Sequence, residues 1–170
     1  MKKYRFRKAI SDIKYNIFPS DNTCYICGGF CMEKRGMLCE TCAKEYLVTG
    51  DTCPKCGRPT NNKICTDCNE NSPKFIDGVT SFYYDGKGRS SLLSFKSNMH
   101  RYRARLYAKY IGNAIKEKDW HDIDYVVYVP GSRSRNIKRG YNPSRLIAQL
   151  LALELNTGFL SGSLKRINTK

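Results

Sequence analysis

Apolar residues recur at helical spacing at the start of the chain. Tyr4, Phe6, Ile10, Ile13 and Ile17 predict a helix over 3–17, which Pro19 ends. The next apolar pattern is a run of β-formers over 75–84, with Val79, Phe82, Tyr83 and Tyr84, which predicts a strand broken by Asp85 and Gly86. A short helix is expected over 88–96 and a longer one over 101–118. In the longer helix Tyr102, Leu106 and Tyr110, with Tyr107, Ile111 and Ala114, form the apolar stripe. Residues 124–129 read Asp-Tyr-Val-Val-Tyr-Val, a near-continuous apolar run that predicts a buried, parallel-type strand ended by Pro130 and Gly131. A basic loop over 132–142 follows. A helix is then expected over 144–155, with Ser144 at its start and Leu146, Ile147, Leu150 and Leu151 inward. Strand, basic loop and helix make half a βαβ unit, so the fold class is α/β.

Cysteine spacing organises the stretch between the first helix and the first strand. All nine cysteines lie from Cys24 to Cys68, eight of them in four C-x-x-C pairs: Cys24/Cys27, Cys39/Cys42, Cys53/Cys56 and Cys65/Cys68. Two residues between two thiolates let a tight turn aim both sulfurs at one ion, and two pairs complete a tetrahedral structural zinc site. Four pairs predict two zinc ions. Neighbouring pairs would give two sequential ribbons, with short loops over 28–38 and 57–64, whereas alternating pairs would give a cross-braced arrangement; the short loops favour the sequential one. Gly28 and Gly57 follow the first and third knuckles, where a residue tolerating positive φ lets backbone N–H groups approach the sulfurs. The competing reading is a disulfide framework. Residues 1–14 are basic and hold no apolar run of the secretory kind. A cytoplasmic chain with reduced thiols is therefore expected, and there this spacing favours metal. Cys31 is expected to be a buried free thiol.

Charge adds a partner to this picture. The chain has 30 Lys and Arg against 15 Asp and Glu, a formal net charge of +15. Eight ligating thiolates and two zinc ions would change this by −4, leaving about +11. An acidic partner is expected: single-stranded DNA first, a phosphorylated small molecule second. No 18-residue apolar run exists in the sequence, so no membrane span is expected. From Gly86 to Lys116 there are eight basic residues and no acid. Arg101, Arg103, Arg105 and Lys109 are the candidate nucleic-acid contacts there, interleaved with Tyr102, Tyr107 and Tyr110, although those tyrosines also suit the helix's core face. Beyond the carboxyl end of the 124–129 strand, where α/β sheets hold ligands, Arg133, Arg135, Arg139, Gly140 and Asn142 are candidates for holding a phosphate or pyrophosphate. Neither a P-loop nor a dinucleotide fingerprint occurs.

These pieces together resemble a family. The four C-x-x-C pairs, the strand ends at Phe82–Gly86 and Val129–Pro130, and the run Arg135-Asn-Ile-Lys-Arg139-Gly140-Tyr141-Asn142-Pro143 resemble the ComF competence proteins. The last of these looks like that family's R-x-x-x-R-G-[FY]-N signature, and residues 164–169 look like the start of its later R-x-x-x-T segment. The resemblance implies a basic helix over 1–19 and a double zinc ribbon over 20–72. It also implies a type I phosphoribosyltransferase-like domain over 73–170, with the loop after Pro130 binding pyrophosphate. It further implies a role in natural transformation, with single-stranded DNA, phosphoribosyl pyrophosphate and other competence proteins as partners, and magnesium alongside phosphoribosyl pyrophosphate in a longer form. One departure bears on activity. Such enzymes hold the ribose hydroxyls with two adjacent acids, and this sequence contains no adjacent acidic pair. Asp122 and Asp124 precede a strand and cannot serve. The expectation is an incomplete phosphoribosyltransferase-like domain, truncated at Lys170 and inactive alone in phosphoribosyl transfer. The alternative is a non-catalytic zinc-ribbon module that binds nucleic acid through charge alone, and the Arg135–Asn142 signature discriminates against it. A working transferase acting on a base or amine is a third reading.

Overall fold

A computed structural model describes residues 22–31, 37–97 and 100–167; the helix expected over 3–17 lies outside them. Its elements are α1 (Glu40–Tyr46), α2 (Thr66–Glu70), α3 (Gly86–Lys96), α4 (Arg103–Glu117), β1 (Tyr125–Val126), α5 (Arg133–Arg139), α6 (Pro143–Glu154) and β2 (Gly158–Phe159).

The cysteine region is one design built twice. In the first copy the Gly28 N–H donates to the Cys24 carbonyl at 2.9 Å and the Cys24 N–H to the Gly29 carbonyl at 2.7 Å; in the second, Gly57 donates to Cys53 at 2.8 Å and Cys53 to Arg58 at 2.8 Å. Both turns need a left-handed residue, and Gly28 and Gly57 supply it at φ +75° and +73°. Single antiparallel bridges, Thr23 to Phe30 and Thr52 to Pro59, close the two turns. A helix then starts directly after the third cysteine of each copy, α1 after Cys39 and α2 after Cys65.

The second half is helical with a small parallel sheet. β1 pairs with β2 in the register Tyr125–Gly158 and Val126–Phe159. Gly158 permits this approach, since a Cβ there would come within 2.5 Å of the Tyr125 ring. The Asn142 side chain accepts the Arg145 N–H at 3.1 Å and so caps α6, which begins at Pro143 rather than Ser144. Phe95 of α3, Ala104, Tyr107 and Ala108 of α4, and Leu150 of α6 form the core of this half.

The two halves share buried surface. Leu106 of α4, fully buried, belongs to the same cluster as Cys24, Cys31, Met37, Leu38, Cys42 and Tyr46 of the first ribbon. Phe82 packs against both clusters.

Several expectations are corrected. The strand over 75–84 reduces to one bridge, Leu47 to Phe82, flanked by bonds from Val48 to Ser81 and from Tyr83 to Tyr46. Its pairing partner is only the short extended exit from α1, and Ile76 is left 92% exposed. The strand over 124–129 is parallel as expected, but it shrinks to two residues and is not buried. Tyr125, Val127 and Val129 lie open, Val129 at 77% exposure, while Val126 and Tyr128 are half-buried. Among the described residues β1 has one neighbouring strand, so the apolar run has nothing to bury its second face against. The loop over 132–142 contains α5, because residues 133–139 hold no Pro or Gly and Gly140 ends the turn at φ +70°.

Candidate functional site

Four sulfurs gather at each end of the ribbon module. Cys24, Cys27, Cys39 and Cys42 place their Sγ atoms within 4.8 Å of one another, and Cys53, Cys56, Cys65 and Cys68 do the same. The pairing is therefore sequential. The Sγ atoms of Cys27 and Cys39 lie 3.8 Å apart, and those of Cys56 and Cys65 lie 3.6 Å apart. A zinc–sulfur bond of roughly 2.3 Å makes a tetrahedron with an edge of roughly 3.8 Å, whereas a disulfide bond would hold sulfurs at about 2.05 Å. All nine cysteines are free thiols.

Backbone donors tune these sulfurs. Gly29 N–H points at Cys27 Sγ at 3.4 Å, and Cys42 N–H at Cys39 Sγ at 3.5 Å. Burial pushes the Cys24 thiol up, but the N–H groups of Cys27, Cys39 and Ile26 outweigh it and bring it down to about 6. The Cys65 N–H, with those of Cys56 and Lys55, overcomes burial and brings Cys53 down to about 6. Burial and bonds to neighbouring sulfurs push Cys42 far up, and Cys68 up to about 12. One thiolate is welcome at each end, but a fourth is not without a cation between them. The residues present thus fit two zinc ions, one per four-cysteine cluster, each closed and without an open coordination position. Bound zinc would supply cross-links to a module with little apolar core. Cys31 stays outside the first cluster: burial and the neighbouring Cys24 push its thiol up to about 11.

The cationic candidates are distributed unevenly. Arg133 and Arg135 are exposed on α5, Arg139 is half-buried at its end, and Gly140 and Asn142 form the α5–α6 junction. Arg105 and Lys109 are half-buried on α4, and Arg101 is exposed just before it. The Arg101 guanidinium lies 4.5 Å from the centre of the Tyr141 ring, so it joins the 139–142 segment. Arg103 does not stand with these residues. It is 7% exposed and donates to the carbonyls of Tyr25 at 2.7 Å, Ser91 at 3.3 Å and Ile26 at 3.4 Å. This cation fastens α4 to the first ribbon, and its guanidinium is withdrawn from any strand at the surface. Two of the tyrosines serve the core: Tyr107 bonds Ser91 at 2.9 Å, and Tyr110 and Tyr107 meet the Phe82 ring edge-on, while half-buried Tyr102 meets the Tyr25 ring edge-on.

One structural residue was not singled out from the sequence. Asp77 accepts from Lys118 at 3.3 Å and Trp120 at 3.2 Å, while Lys118 also donates to the Pro54 carbonyl at 3.2 Å. This clamp ties the second ribbon to the end of α4, and no spacing in the sequence announces a pair 41 residues apart. Among the described residues no helix is long and apolar enough to cross a membrane.

Comparison with known proteins bears on the same features. A family model described as a double zinc ribbon domain matches residues 15–72. The chain is similar to the Competence protein ComFC of Bacillus subtilis (strain 168), 28% identical over 136 residues, which cover 72% of this chain and 54% of that protein. The chain thus spans about half the length of the curated relative it matches. No solved structure matches. The ribbon match, the two four-cysteine clusters and the similarity along most of the chain support a ComF/ComFC-family protein.

Proposed function

We propose that this competence-related protein binds single-stranded DNA through cations on α4 and α5, and a phosphorylated small ligand at residues 133–142. The observation that carries the reading is the absence of acids from both segments. None occurs from Gly86 to Lys116 or from Tyr125 to Leu153, and the second span holds Arg133, Arg135, Lys138, Arg139 and Arg145. A positive field of this kind attracts phosphate without selecting a base. The similarity to a protein named for competence supports a nucleic-acid partner, and other competence proteins are further candidates. In this reading the chain divides into a basic helix over 1–19, a double ribbon over 20–72 and a phosphoribosyltransferase-like domain over 73–170.

The same reading predicts no phosphoribosyl transfer by this chain alone, because the sequence holds no adjacent acids to grip ribose hydroxyls and magnesium. Release of pyrophosphate from phosphoribosyl pyrophosphate above a protein-free control, and lost on Arg139→Ala, would overturn that.

Binding of oligo(dT) measured against salt tests the main claim. Affinity should fall with salt with a logarithmic slope of roughly −0.7 per phosphate contact, and Arg105→Ala with Lys109→Ala should lower that slope by about 1. Absence of binding at low salt, or a double variant that binds like wild type, contradicts the reading.

A further inference from the structure

Among the described residues β2 uses one edge of β1 and nothing uses the other. The Gly158 N–H donates to the Asp124 carbonyl and the Leu160 N–H to the Val126 carbonyl, both at 3.1 Å. A trans peptide points its N–H away from its own C=O, so the N–H groups of Tyr125 and Val127 face the opposite edge. Neither finds a hydrogen-bond partner there among the described residues. The register sets Tyr125 beside Gly158 and, two residues on, Val127 beside Leu160, on one face of the sheet. Tyr125, Val127, Val129 and Leu160 are all exposed. Unpaired main-chain groups with apolar side chains beside them are a template for a further strand.

Charge says which strand fits. From Asp119 to Asp124 there are three acids and no Lys or Arg. The eight residues from Tyr125 to Ser132 carry no charge, and from Arg133 to Arg139 there are four cations and no acid. Asp119 is taken by His121 at 2.6 Å, whereas Asp122, Asp124, Arg133 and Arg135 are exposed and form no ion pair among the described residues. The segment is therefore negative where it enters β1 and positive where it leaves. A second copy laid antiparallel on this edge sets each acidic end on a basic end, twice, by the same contact. Laid parallel, it would set like charge on like. About a two-fold axis at Val127, Val127 meets its own copy, Tyr125 meets Val129, and Asp122 meets Ser132, one position before Arg133. The outward N–H groups of Tyr125 and Val127 suit this register, because alternate opposed residues in an antiparallel pair exchange hydrogen bonds. The exposed apolar side chains then meet across the join.

We infer that two copies of this chain associate through β1, antiparallel about Val127, into one four-stranded sheet ordered β2, β1, β1, β2. The inference goes beyond the ligand reading, in which Asp122, Asp124 and Val127 have no part.

Sedimentation velocity of the zinc-loaded full chain, without nucleic acid, tests it. Wild type should pass from monomer to dimer as concentration rises. Val127→Pro removes an N–H that faces only the outer edge, so it should weaken the dimer at least about tenfold with zinc content and unfolding midpoint unchanged. Asp122→Arg with Asp124→Arg in one chain, and Arg133→Asp with Arg135→Asp in another, should each weaken self-association about tenfold by opposing like charges. An equimolar mixture of these two chains should dimerise as wild type does, because both contacts of the mixed pair are complementary again. The charge variants carry the test if Val127→Pro also lowers the unfolding midpoint. A wild type that stays monomeric at every concentration overturns the inference and leaves the edge to some other strand. A dimer that Val127→Pro leaves intact overturns it by placing the interface elsewhere. A mixture that fails to restore dimers overturns the antiparallel pairing.

Discussion

A buried guanidinium needs acceptors in its own plane, and Arg103 finds three main-chain carbonyls, from Tyr25, Ile26 and Ser91. Removing it would leave those carbonyls without donors, at about 1–3 kcal/mol for each that stays dry. Arg103→Met should therefore lower unfolding free energy by about 2–4 kcal/mol in urea titration, with zinc still bound. Arg103→Lys should recover little, because a point charge cannot reach three acceptors in a fork. An unchanged midpoint for Arg103→Met would contradict this role. The signal was present in the sequence. Arg103 precedes Tyr107 by one helical turn and so sits on the stripe that α4 buries, but counting cations without counting faces put it in the basic row. The cysteines were legible at this scale for the opposite reason, since a ligand pair two residues apart carries its geometry within its own spacing.

At the scale of elements, the three longest described helices read well, whereas the short helices α1, α2 and α5 and both strands read poorly. α3, α4 and α6 fall close to their expected spans because an amphipathic stripe depends on local spacing. The apolar run over 124–129 depends on what lies beside it, and a run of β-formers does not say how many strands will cover it. The turns of the ribbons make a sharper test. Gly50 has φ +91° with open space around it, whereas Gly57 has φ +73° and a Cβ there would meet the backbone of Val79 and Thr80 at 2.7 Å. Gly50→Ala should cost roughly 1–2 kcal/mol, the strain of left-handed backbone alone. Gly57→Ala adds a clash with main chain that cannot rotate away. It should cost more, and it should speed zinc loss from the second ribbon to a chelator. Equal effects at the two glycines would contradict the packing of 78–80 against that turn.

At the scale of the molecule, the ribbons and the α/β half are joined by side chains rather than set end to end. Leu106 of α4 fills the first ribbon's core, and the Asp77–Lys118 clamp holds the second ribbon against the far end of the same helix. Leu106→Ala should cost about 2–5 kcal/mol as a core cavity, and should loosen the first zinc site before the second. A chelator should then extract zinc in two phases, the fast one lost in a chain also carrying Cys24→Ser. Eight cysteines form two self-contained, sequential four-thiolate sites for zinc. Native mass spectrometry of the freshly purified chain tests this arrangement most directly. Wild type should carry two zinc ions, and the double variant Cys24→Ser with Cys39→Ser should carry one, because both residues serve the same ion. A wild type with one ion or none, or a double variant stripped of both ions, would contradict it.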